Sequence, residues 1–181
     1  MNCTGPVAKT GTLFGVVRNE KFQTLWPLPG GVGNYLFALE WIVGQVAGVE
    51  RTESVVDQMV AHYSLASRKA AVSYLRVAHT LGLIEIVGSS VYLTPVGKAY
   101  IASPCPKLVE ESLVSRVSGC ADITAELALR PRRLGPLAEL MRERGHRWST
   151  NSQVRYRLRW LEEVGVVGRR GTSRPEYHMV D

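Results

Sequence analysis

The chain has 181 residues, 45% of them hydrophobic, and a formal net charge of +6. That length admits two small domains, the apolar share suffices for a core, and the positive balance suits a polyanionic partner. No run approaches the roughly 18 apolar residues of a membrane span, and Cys3, Cys105 and Cys120 are too few and too scattered for a disulfide framework or a zinc site. The segment from Met1 to Lys9 lacks the basic start and apolar run of a signal peptide, so a reducing cytoplasm is the expected compartment.

In chain order, residues 11–28 hold two short β-prone runs around Arg18–Lys21 and are expected to form a hairpin or arm within a separate stretch, 1–32. Pro29 to Gly33 is a break. From Asn34 to Val46, apolar residues at Leu36, Ala38, Leu39, Ile42, Val43 and Val46 follow helical spacing. Thr52 is expected to cap a second helix with Val55, Val56, Met59 and Val60 inward; Ser67 caps a third, which stops before Gly82. Leu83–Val87, a turn at Gly88–Ser90 and Val91–Leu93 form a hairpin, and Thr94-Pro95 opens another helix. The prolines at 104 and 106 mark a linker, residues 104–107, between a first domain at 33–103 and a second at 108–181. The second holds expected helices over Leu108–Val117, Asp122–Leu129, Leu137–Arg144 and about Asn151–Val164. Val166-Val167, a basic loop Gly168–Arg174 and a strand Glu176–Val180 follow. The expected fold class is mainly α with small β-hairpins (α+β).

One pattern occurs twice. Ser67–Ile84 and Thr150–Val167, 83 positions apart, each combine a hydroxyl cap, a helix with one apolar stripe, a glycine stop and the start of a strand. Leu75/Leu158, Arg76/Arg159 and Gly82/Gly165 are identical between them. At 100° per residue, Ala71, Leu75 and Ala78 share the inner face of the first helix, with Lys69, Ser73, Arg76 and Thr80 opposite. In the second, Val154, Leu158 and Leu161 face inward. Ser152, Tyr156, Arg159 and Glu163 lie opposite, with Arg155 at the flank.

The charge is concentrated around the second copy. Residues 130–174 contain 12 Arg, 4 Glu and no Lys, a net of +8. A guanidinium suits bidentate contact with phosphate or a guanine edge, and a major groove admits one helix. The loop after the second helix carries Arg169, Arg170 and Arg174, suited to phosphate or the minor groove. The corresponding loop in the first copy is uncharged. Trp160 is expected in a core or interdomain contact. His146 reads as a helix-end histidine, with a phosphate contact as the alternative.

The arrangement resembles two tandem winged helix-turn-helix domains. Leu81-Gly-Leu-Ile84 with Val91–Tyr100 is similar to the end of the recognition helix, the wing and the following helix of bacterial winged-helix regulators. With Asn34–Glu40 it also resembles target-recognition modules of restriction endonucleases, including modification-dependent ones. The likeness spans 33–102 and, in outline, 120–180. It implies DNA-facing roles for Ser67, Arg68, Lys69, Ser73 and Arg76 in the first helix, and for Asn151, Ser152, Arg155, Tyr156 and Arg159 in the second. The partner so implied is double-stranded DNA, with a nuclease domain or subunit elsewhere.

Catalytic patterns are missing. The residues two before Lys9, Lys21, Lys69, Lys98 and Lys107 are Val7, Asn19, Ser67, Val96 and Cys105, so the acidic-x-Lys pair of common metal-dependent nucleases does not occur. There is no Walker loop, GxSxG or HExxH. The expectation is a DNA-binding module without catalytic residues, metal or cofactor, reading an asymmetric site as the recognition part of a restriction system. A transcription regulator is one alternative. A protein-binding scaffold anchored on Tyr156 and Trp160 is the other.

Overall fold

Local chemistry sets several helix starts in the computed structural model, which describes residues 21–180. Among these residues the protein is an α+β molecule of eight helices and two small antiparallel sheets. The first half runs α1 (Tyr35–Val46), α2 (Thr52–His62), α3 (Arg68–Thr80), β1 (Ile84–Val87), β2 (Ser90–Leu93) and α4 (Pro95–Ala102). The second runs α5 (Pro106–Arg116), α6 (Cys120–Leu129), β3 (Arg132–Arg133), α7 (Leu134–Glu143), α8 (Ser152–Glu163), β4 (Val167–Arg170) and β5 (Glu176–Met179).

Ser67 caps α3 by accepting from the Lys69 amide at 3.1 Å, and Thr94 caps α4 by accepting from Gly97 at 3.0 Å. The Thr94 hydroxyl also donates to the Gly82 carbonyl at 2.6 Å, tying α4 to the turn after α3. A Cβ at Gly97 would overlap the Leu83 carbonyl oxygen, so only glycine lets α4 seat there.

The two halves share an order of elements. In the second, β5 is the central strand, with β4 on one side and β3 on the other. In the first, β2 pairs with β1 on one side and bridges through Ser90 to Arg51 on the other. Arg51 thus stands where β3 stands, just before α2 as β3 stands just before α7. The offset of 83 carries Ile84–Val87 onto Val167–Arg170, so β1 and β4 match residue for residue. The loops that follow differ: Gly88–Ser89 in the first hairpin, Gly171–Pro175 in the second.

Several elements differ from expectation. Thr52 does not cap α2: it is the first helical residue, its amide donates to Ser89, and its buried hydroxyl has no partner. Pro106 and Lys107, expected in the linker, form the first turn of α5, where a proline sacrifices no helical hydrogen bond. For the same reason α7 begins at Leu134 and accommodates Pro136. Arg132–Arg133 form a two-residue strand that no sequence period could announce; pairing with β5 creates it. Arg169 and Arg170 belong to β4 rather than to the loop. Residues 11–20 of the expected hairpin lie outside the described residues. Residues 21–28 form an extended strap bridged in parallel to Val117 through Phe22.

That strap lies between the halves. Leu25 and Leu28 are buried, and Phe22 exchanges backbone hydrogen bonds with Arg116 (2.8 Å) and Ser118 (3.0 Å). The side chain of Arg157, on α8, is 0% exposed. Its Nε donates to the Ser118 carbonyl at 2.6 Å and its Nη2 to the Gln23 carbonyl at 2.8 Å. Its Nη1 donates to the Gln153 carbonyl and side-chain oxygen at 2.9 and 2.8 Å. The guanidinium lies 4.2 Å from the centre of the Trp148 ring. Replacing Arg157 by Met keeps bulk but strips the buried Ser118 carbonyl of its donor and cuts the tie to the Gln23 carbonyl of the strap. At about 1–3 kcal/mol for the one buried group left without a donor, urea unfolding of Arg157→Met should show a loss of about 1–3 kcal/mol.

Candidate nucleic-acid interface

The exposed arcs of α3 and α8 follow from which flanks are covered. On α3, Ala71, Leu75 and Ala78 point into the core as the apolar stripe requires. Val77 and Thr80 are buried as well, because the strap lies along that side. On α8 the same flank is buried through Arg157 and Trp160. Trp160 is 0% exposed and its indole donates to the Trp26 carbonyl at 2.8 Å. What remains exposed is Arg68, Lys69 and Arg76 on α3, and Arg155 and Arg159 on α8. Arg76 and Arg159, 83 positions apart, occupy the same register of their helices.

The other residues expected to face DNA have these environments. Ser67 is exposed but holds the α3 cap. Arg68 is ion-paired with Asp57 of α2. Ser73 is half-buried and its hydroxyl donates to the Lys69 carbonyl at 3.0 Å. Asn151 accepts from Arg142 at 3.0 Å. The Ser152 amide donates to Thr150 at 3.3 Å. Tyr156 is half-buried, its ring 5.9 Å from that of Trp26. Arg169 pairs with Glu162 at 3.5 Å, whereas Arg170 and Arg174 are exposed and make no ion pair among the described residues. Lys69, Arg76, Arg155 and Arg159 are likewise without an ion pair among the described residues.

Two outward assignments are corrected. Thr80 is only 6% exposed, and its carbonyl accepts from Arg116 Nε at 3.0 Å. Glu163 turns to α1, where its carboxylate accepts from the Leu36 amide at 3.0 Å and from the Gly33 amide. A helical wheel could place both residues opposite the core stripe but could not show that the other half of the chain meets them there.

Arg155, Arg159 and Arg169 border one cavity of about 450 Å³, with Glu162 and Tyr177 in its wall. Burial raises the Glu162 carboxyl above its ordinary pKa, while Arg169 and Arg159 oppose the rise. Burial likewise raises the Tyr177 phenol, and the same arginines with Arg155 offset part of it. The wall thus joins α8 and the β4–β5 hairpin into one positively charged surface.

His146 is held in the fold rather than offered to a phosphate. It lies 3.0 Å from the Asp122 carboxylate and stacks on Trp148 at 4.5 Å. The basic run also contains internal partners that composition could not separate from the surface. Glu126, itself buried, holds Arg132 at 2.9 Å and Arg144 at 2.7 Å, and lies 3.8 Å from Arg130. Among the described residues, no group of three or more His, Cys, Asp or Glu is placed to hold a metal ion, and no helix is long and apolar enough to cross a membrane.

Comparison with protein-family models, with curated proteins and with solved structures gives no match.

Glu163 supplies the start of α1 with a remote cap, since Asn34 makes no side-chain cap bond there. Glu163→Ala should lower stability by about 0.5–2 kcal/mol, the range for losing a cap. Denaturant unfolding that leaves stability unchanged would show that this contact does not hold the halves together.

Proposed function

We propose that this protein is a double-stranded DNA-binding module built of two tandem winged helix-turn-helix units. On this reading α3 and α8 are the recognition helices, and the β1–β2 and β4–β5 hairpins are the wings. The observation that carries it is the matched pair Arg76 and Arg159. Each is exposed, neither is paired with an acid among the described residues, and each stands at the same register of a helix that precedes a hairpin. A side chain so placed is suited to a base edge, while the exposed Arg170 and Arg174 of the second wing suit phosphates.

The two helices present different surfaces. α3 offers Lys69 and Arg76 beside a wing whose one charge is Glu85, and α8 offers Arg155 and Arg159 beside an arginine-bearing one. Unlike surfaces in one chain suit an asymmetric target better than a palindrome. Such a target suits the recognition part of a restriction system, with catalysis in another domain or subunit. The burial of Trp160 leaves a reading as a protein-binding scaffold with only Tyr156 of its two anchors.

Selection of bound duplexes from a random pool, with and without cytosine methylation, tests the reading directly. In the selected site, Arg76→Ala or Arg159→Ala should cost about 1–3 kcal/mol and relax preference at one position. Arg174→Ala should weaken all sequences alike. It should also lower the slope of log affinity against log salt by about 0.9, the share of one phosphate. Affinity that does not respond to salt, or a pool that yields no enriched site, defeats the proposal.

A further inference from the structure

The strap does more than join the halves: it carries an aromatic residue into the space between α3 and α8. Trp26 is 42% exposed although Leu25 and Leu28 on either side are buried. Its backbone is anchored through the Trp160 indole, so the exposed ring is held in place rather than trailing from a loose segment. On one side it borders a cavity of about 580 Å³, within the size range of small-ligand sites.

The lining of that cavity is specific in kind. Phe22, Trp26 and His79 supply aromatic walls, Gln23 and Thr24 supply an amide and a hydroxyl, and Arg76 stands in the lining with no carboxylate partner among the described residues. Phe22 is itself fixed, with His79 edge-on at 5.6 Å and Arg116 over its ring at 5.6 Å. Flat apolar walls, hydrogen-bonding groups and an uncompensated cation together match a planar heterocycle attached to an anionic backbone. Arg76 is also the residue assigned above to the groove, so the cavity lies beside the proposed DNA contact.

We infer that the Phe22–Trp26–His79 cavity accepts a single nucleobase swung out of the duplex, stacked against Trp26 and with Arg76 at its edge. This inference rests on the duplex-binding reading above and adds a base-specific site to it. Proteins that hold an extruded base must unpair and unstack it, so a base that is already unpaired binds more tightly.

The test measures affinity by fluorescence anisotropy at low salt for two 20-base-pair duplexes, one fully paired and one with a single central mismatch. The unmodified protein should prefer the mismatched duplex by on the order of tenfold, because the unpairing cost is already met. Trp26→Ala should bring that ratio close to one, and Trp26→Phe, which keeps an aromatic face, should restore most of it. Circular dichroism melting of each variant identifies any that fail to fold. Equal affinity of the unmodified protein for both duplexes overturns the pocket but leaves duplex binding intact, as does a mismatch preference that survives Trp26→Ala. Failure to bind either duplex overturns both.

Discussion

A buried guanidinium without a carboxylate joins three parts of this protein. Arg157 belongs to α8, yet two of its hydrogen bonds leave the helix, one to Ser118 at the start of α6 and one to Gln23 in the strap. Burial pulls its pKa down to about 10, which still leaves it protonated at neutral pH. Desolvating a charge is costly, and hydrogen bonds offset part of that cost. Here carbonyls, a glutamine side chain and the Trp148 face together take the place of a counter-ion. An arginine satisfied in this way fixes the strap's position and turns the remaining α8 cations outward.

The strap in turn determines how the halves meet. Position 80 of the first half accepts from Arg116, ahead of α6, and position 163 of the second caps the start of α1. These positions are 83 apart, so equivalent points on the two long helices each touch the opposite half near its first repeated helix. The two contacts are thus reciprocal, each half reaching the other from the same register of its helix. Because Val77 and Trp160 are both buried along this seam, the polar arcs of α3 and α8 are narrowed alike. Under the proposed function that narrowing concentrates recognition on Arg76, Lys69, Arg155 and Arg159.

Charge follows a similar division. The arginine-rich stretch from 130 to 174 reads as one basic patch in sequence, but Arg132 and Arg144 are tied to Glu126, whose carboxyl the Arg132 hydrogen bond holds below the usual carboxylate range against the opposing effect of burial. Arg157 is internal. Among the described residues of this stretch, the exposed arginines without an ion pair are Arg133, Arg142, Arg147, Arg155, Arg159, Arg170 and Arg174, with Arg169 partly neutralised by Glu162. Counting arginines therefore overstates the surface that a polyanion would meet.

Local patterns determined much of this protein by themselves. The Ser67 and Thr94 caps, the apolar stripes of α3 and α8, the glycine at the end of each, and the β1–β2 hairpin were all legible, because each depends on residues within one or two turns. So was the equivalence of Arg76 and Arg159. Only the tertiary structure decided that Arg132–Arg133 is a strand, that residues 21–28 are a strap, that Glu163 caps a helix 127 residues away, and that Arg157 is internal while Arg155 and Arg159 are not. The reason is common to all four. Each depends on a partner from a distant part of the chain, and a helical period shows which residues share a face but not which faces a distant segment will cover.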